Sequence, residues 1–336
     1  MPLEHSYRLA TYADAAGMPR AGVVVDDRLI DAAAALDHAA AIGASERARD
    51  GNGGTSAPCT VLALLRAWDE VHPRLQSIAR AVRRGSAAHA RHAQNLSSVT
   101  LLAPVLFPGT IFCAGANYRD HVAEMSKALN LPPEPDPHEL GLNPWHFIKA
   151  SAACVRGTGT RIALPSYSSC VDWEAEIAVV IGRECRQVEV GAALDYVAGI
   201  TVVNDLSARD HVRRKGVAAA SPFHFDWVSH KCFDGALPMG PWICPLDEID
   251  NLQELKIRLW VNDELMQDSS SANLIFSVAE QIAHLSTRLT LHPGDVIATG
   301  TPAGCGAARG RYLRPGDRVR VWVETVGEIA NDFVTL

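Results

Sequence analysis

No stretch of about 18 consecutive apolar residues occurs in the 336-residue chain, so no helix that spans a bilayer is expected. The opening residues, Met1 to His5, lack a basic segment followed by an apolar core, so no secretory leader is expected. Eight cysteines are scattered without a single C-x-x-C pair, which argues against a zinc ribbon and against a disulfide framework. Free thiols and a cytoplasmic location follow as expectations. Basic residues are in the minority, 31 Lys and Arg against 38 Asp and Glu, for a net charge of −7. Nucleic acid and anionic membrane are therefore poor partners. Gly157 to Thr160 is followed by no Gly-Lys-Ser/Thr, which excludes a phosphate-binding loop there. What remains is 48% hydrophobic and 21% charged, the balance of a soluble globular protein. The length allows two domains or one large one.

Short strands are expected over 8–12, 21–25 and 28–31, separated by turn chemistry at Gly17 to Pro19 and at Asp26 and Asp27. A helix should follow over 32–42, then a polar surface loop over 45–58. Leu62, Leu65, Trp68 and Val71 have helical spacing and imply one amphipathic helix over 60–82. The poorly apolar 83–98 reads as a tether. A boundary near Pro104 gives a small N-terminal α+β domain, 1–104, and a second domain, 105–336. The histidines of the first part form no H-x-x-x-H pair and read as solvated surface.

The stretch Val171 to Gly182 is the centre of the second domain. Residues two apart on a strand face one side. The odd positions, Val171 to Ile181, are all apolar; Asp172, Glu174 and Glu176 lie on the even face. Adjacent carboxylates repel one another and lose water unless a cation neutralises them. Oxygen-only ligands favour a hard ion, Mg²⁺, Mn²⁺ or Ca²⁺. A solvated acidic face on an edge strand is the alternative. Strand 196–203 ends in Asn204 and Asp205, where Asp205 either completes a metal site or caps a turn.

Asn117 suits a helix N-cap, which puts His121 and Glu124 on one face, as a general base with its orienting carboxylate or as an ordinary surface pair. Such a carboxylate favours the protonated imidazole. The Pro-rich 130–143 is a lid or a plain surface loop. Lys149 either pairs with an anionic substrate or is solvated. Asn262 and Asp263 make a hairpin turn. Leu274, Val278, Ile282 and Leu285 form a core stripe. Two Pro-Gly-Asp turns, at 293–295 and 315–317, each launch a strand. The glycine-rich loop Gly300 to Gly306 should expose backbone N–H groups and a Thr hydroxyl to a substrate carboxylate.

Taken in order, Gly115 to Glu124, Phe147-Ile-Lys149, Asp172 to Glu176, Asn204 to Arg209, Lys231 to Asp234, Gly240-Pro241, Gln267-Asp268 and Pro293 to Pro302 resemble the fumarylacetoacetate hydrolase family. The resemblance covers about residues 105–336. It implies a β-rich α+β fold with a mixed β-roll or sandwich catalytic domain, and a homodimer. It implies that Glu174, Glu176 and Asp205 hold Mg²⁺ or Mn²⁺. Lys231 would act beside them, and His121, oriented by Glu124, would activate water. Lys149, Arg119, Gly300 and Thr301 would contact a small 2-oxo acid, and the segment after Glu124 would be the lid. Family members with the His–Glu pair tend to be hydrolases, so cleavage of a 2,4-dioxo acid (an acylpyruvate of aromatic catabolism) is the expected reaction. Decarboxylation or isomerisation on the same scaffold is the alternative, and a non-catalytic 2-oxo-acid binding protein is an alternative of another class. The segment 211–230 is longer than the family's commonest form, and Val212 stands where Gln is frequent.

Overall fold

The computed structural model describes residues 6–43 and 59–336. The loop expected over 45–58 lies outside the described residues. The architecture is α+β and dominated by sheet. One large sheet runs in the order 93–95, 28–31, 19–25, 8–13, 237–245, 197–204, 175–181, 296–298, 111–114, 146–149. A second sheet of five strands runs 264–270, 256–261, 318–323, 327–335, 161–164.

The N-terminal strands do not stand apart from the rest. Leu9 is registered antiparallel to Ile243, so the large sheet crosses the position of Pro104. Residues from both sides of that position, among them Leu9, Val23, Ile177 and Val202, share one buried core. The expected tether over 83–98 instead contains a helical turn, 87–90, and a strand, Ala93–Asn95, paired with Arg28–Ile30. It is a sheet edge, and an edge strand needs few apolar residues. The single helix expected over 60–82 is two, Val61–Arg66 and Trp68–Arg83, broken at Ala67. Asn262 and Asp263 both take positive φ, 50° and 67°, as a two-residue hairpin turn requires. The stripe Val278, Ile282, Leu285 is buried on helix Val278–Arg288, which begins with a Ser277–Glu280 capping box.

The central strand is shorter than its pattern. Val171–Asp172 pairs with Ser207–Ala208, and the main strand restarts at Ala175–Ile181. The break has a cause. Glu174 N donates to the Asn204 side chain (2.9 Å) and Ala175 N to the Gln267 side chain (2.9 Å), not to a strand backbone carbonyl. The Asp172 carboxylate meanwhile accepts from the backbone N–H groups of Trp173, Gly306 and Ala307.

Strand Ala175–Ile181 lies between Val197–Asn204 and Val296–Ala298, antiparallel to both, and Val296–Ala298 is parallel to Ile111–Ala114. The start of the first therefore meets the ends of the other three. The loops that begin at Gly115, Asp205 and Gly300 converge there.

Asn117 stitches that end together. It does not cap the helix Arg119–Ala128, whose N-cap is Tyr118. Its Oδ1 accepts from Phe276 N (2.8 Å), and its Nδ2 donates to the carbonyls of Phe276 (3.0 Å) and Thr299 (2.8 Å). The side chain is 2% exposed, so its truncation leaves those groups without water. Asn117→Ala is expected to cost about 2–3 kcal/mol, read as a lower unfolding midpoint in urea. A loss under about 0.5 kcal/mol would show that the stitch is dispensable.

Candidate metal centre and acid–base site

Register brings the carboxylates together. Ala175 pairs with Asn204 and Glu176 with Val203, so Glu174 and Asp205 face each other one step beyond the ladder's end. Asp205 N donates to Glu174 O at 2.8 Å. Glu176 is two residues along on the same face. All three are buried, and each offers an oxygen within 4.8 Å of the others.

Three cations surround the cluster. Lys231, the last residue of helix Trp227–Lys231, donates through Nζ to Glu174 Oε2 (2.8 Å) and Asp205 Oδ2 (2.6 Å). Arg209 pairs with Asp172 (2.9 Å) and Glu174. Lys149 Nζ lies 2.8 Å from Asp205 Oδ1. Two of its three hydrogens go to the carbonyls of Leu206 (2.8 Å) and Ala236 (2.7 Å), and Asp205 Oδ1 accepts no well-aligned hydrogen bond. Asp172, Glu174, Glu176 and Asp205 thus share Lys149, Arg209 and Lys231, one cation short. Glu176 is the acid without one: its partner among the described residues is Gly300 N, at 2.8 Å.

The protonation of these groups follows from that shortfall. Burial works to raise the Glu174 carboxyl, but Lys231 and Arg209 outweigh it and hold it well below the usual carboxylate range. Burial, then Asp205 and Glu174, pushes Glu176 well above that range. Burial also opposes the charge on Lys231, but Asp205 and Glu174 raise it above an ordinary lysine. A hard divalent ion would fit here. The donors are all oxygen, Asp205 Oδ1 is buried and accepts no well-aligned hydrogen bond, and Glu176 lacks a counter-charge.

His121 and Glu124 lie on one face of helix Arg119–Ala128 but are not hydrogen-bonded to each other. Glu124 Oε2 accepts from Gly304 N at 2.7 Å, while His121 Nδ1 is buried and unpartnered. Burial lowers the His121 pKa, outweighing the pull of Glu174 and Glu124. The ring is therefore held neutral, opposite to the protonated form that the pairing implied. This corrects the expectation in a useful direction, because a general base must be unprotonated.

Other expected contacts are spent inside the protein. Lys149 is 1% exposed and neither solvated nor open to solvent. Gly300 N holds Glu176. Thr301 Oγ1 donates to Ala175 O (3.0 Å) and accepts from Gln267 Nε2 (3.0 Å). The loop is thus an anchor for the acidic strand and does not expose those donors. Arg119 Nη1 donates to Leu274 O (2.6 Å) and ties its helix to the neighbouring segment. Arg209 and Gln267 stand in the ordered motifs without an expected role, and His230 stands in none of them. Arg209 lies in the motif that carried Asp205, and a second buried acid, Asp172, was the sign that another cation was needed. His230 donates from Nδ1 to Ala208 O (2.9 Å), and burial, then the Lys231 charge, pushes its pKa down to about 3. Nothing in its sequence context marks it.

Residues 110–334 match the model of the fumarylacetoacetate (FAA) hydrolase C-terminal domain. The chain belongs to the fumarylacetoacetate hydrolase family. It is 38% identical over 240 residues to the human oxaloacetate tautomerase FAHD2B, mitochondrial, covering 71% of this chain and 70% of that protein. Among solved structures it is similar to a putative HpcE protein from Mycobacterium smegmatis (30% identity, TM-score 0.71, 98% of this chain and 99% of that one). It is also similar to maleylpyruvate hydrolase from Sphingobium sp. SYK-6, in complex with manganese(II) and pyruvate (27% identity, TM-score 0.68, 98% and 99%). The family members named for an activity include a tautomerase and a hydrolase of small molecules. No described helix is long and apolar enough to cross a membrane.

Glu176 makes the metal-free protein pH-sensitive in a defined direction. Its folded pKa is raised, so its contribution to stability is complete below its unfolded pKa and is lost as pH rises through the folded one. Added Mn²⁺ or Mg²⁺ should restore stability over that same rise, by about 2.7 kcal/mol at a hundred times Kd. Glu176→Gln should be at least as stable as the metal-free wild type at neutral pH, and Mn²⁺ should not raise its melting temperature. A variant that melts below the metal-free wild type and still responds to Mn²⁺ would contradict the assignment.

Proposed function

We propose that this enzyme forms and consumes the enol of a 2-oxo acid, using Mg²⁺ or Mn²⁺ held by Glu174, Glu176 and Asp205. The supporting observation is the convergence of three buried acids with Lys231 on two of them and a neutral imidazole on the neighbouring helix. When bound, the ion would polarise the 2-oxo group and make the adjacent carbon more acidic. His121 takes the proton from that carbon or returns it. The Lys231 ammonium, kept charged by Asp205 and Glu174, balances the negative charge that develops on oxygen. Interconversion of keto and enol forms needs these groups and water to exchange the proton on the enol oxygen, and the tautomerase relative supports it as the first reading. A homodimer in the cytoplasm is part of the same proposal.

Hydrolysis of a 2,4-dioxo acid is the second reading. The unpartnered, neutral His121 favours it, because the same base could take a proton from water. Glu124, committed to Gly304 N, would steady the helix that carries the base.

Excess chelator should abolish ketonisation of enol-oxaloacetate, followed by its ultraviolet absorbance, and Mg²⁺ or Mn²⁺ should restore it. Full rate in chelator would rule the proposal out. His121→Ala should lower kcat by about 10²–10⁴-fold if the imidazole is the base in either reaction. Release of pyruvate from an acylpyruvate by the wild type decides for hydrolysis. Because burial lowers the His121 pKa, kcat/KM should fall on acidification only below the pH at which an ordinary imidazole titrates. An acid limb above that pH would assign the base elsewhere.

A further inference from the structure

The ring of Phe147 borders the cluster, with Lys231 Nζ 4.6 Å from its centre, inside cation–π range. Trp227 stacks on Phe147 (5.5 Å between centres, 18° between planes), and Phe225 continues the stack at 6.3 Å. Trp145 meets Trp227 edge-on at 5.8 Å. Trp145 is also wedged against the loop that leads to His121: a Cβ on Gly115 would lie 2.0 Å from its six-membered ring. An aromatic wall therefore runs from the loop before the base to the lysine beside the acids. Trp145, Trp227 and Phe225 nevertheless stay 48%, 38% and 48% exposed.

Stacked rings left open beside a polar centre offer flat, apolar contact to a ligand anchored there. The cation that lies over the wall's inner ring, Lys231, is turned to Glu174 and Asp205 at the polar centre. A carboxylate lying flat on the ring faces would lose water to an apolar surface. Resting on the function proposed above, we infer that the wall is the subsite for the end of the substrate remote from its 2-oxo acid group. The substrate it fits carries a flat apolar tail, aryl or conjugated alkenyl.

Two ligands with the same 2,4-dioxo acid head test this: 4-phenyl-2,4-dioxobutanoate and 2,4-dioxopentanoate, titrated calorimetrically into the Mn²⁺-loaded full chain. The wild type should bind the phenyl compound about tenfold or more tightly, the worth of burying one ring face. Trp227→Ala should remove most of that preference. Equal affinities in the wild type overturn the inference whatever the variant does, so it stays testable if the variant misfolds. A variant that weakens both ligands equally overturns it as well. So does a variant that keeps the preference while its mass in solution changes, which would make the wall a contact between copies. Turnover is measured separately. A wild type that prefers the phenyl tail but enolises neither ligand supports the wall and refutes the proposed reaction.

Discussion

Four buried carboxylates share three cations, and most of the local structure follows from that imbalance. Glu174 and Asp205 are neutralised by Lys231, Asp172 by Arg209, and Asp205 again by Lys149. Charges so deep in a protein persist only when paired, since desolvation costs several kcal/mol per ion in order of magnitude. Glu176 is left with a backbone N–H and a pKa driven upward. The protein pairs three of the acids with cations and leaves Glu176 with no counter-charge among the described residues.

The sheet makes this arrangement precise. Antiparallel register puts Glu174 opposite Asp205, and the interruption at Trp173 and Glu174 turns the strand's entry toward the loops. Two of the supports are side-chain amides. Gln267 holds Ala175 and Thr301, while Asn117 holds Phe276 and Thr299. His121 is carried by a different element, yet Glu124 on the same helix binds Gly304 in the loop that also supports Glu176. Gly304 takes φ +100°, and a Cβ there would lie 2.0 Å from Met266 O, so only glycine fits. The position of His121 and that of the acids depend on one loop.

Much of this could be read from residue order. The period-two pattern of 171–181 located the acidic face, and the two Pro-Gly-Asp turns located their strands, because alternation and turn chemistry are local properties. The ordered motifs pointed to the family and to the acids as a group. Long-range partners could not be read in the same way. Asn117 looks like a helix cap in one dimension and proves to be a cross-link in three. Lys149 looks like a surface lysine and is among the most buried side chains. Thr301 and Gly300 look like free donors and are already bonded. In each case a distant segment decides the role: 276 and 299 for Asn117, 206 and 236 for Lys149, 175 and 176 for the loop.

Strand Leu237–Pro245 carries prolines at 238, 241 and 245, and it meets the front strands through the single registered pair Leu9 and Ile243. Proline contributes no N–H to a ladder, so this flank holds its neighbour mainly by side-chain burial. A rail of this kind is a poor template for a foreign strand. Should the front strands come loose, the exposed border would resist the edge-to-edge stacking that seeds aggregates.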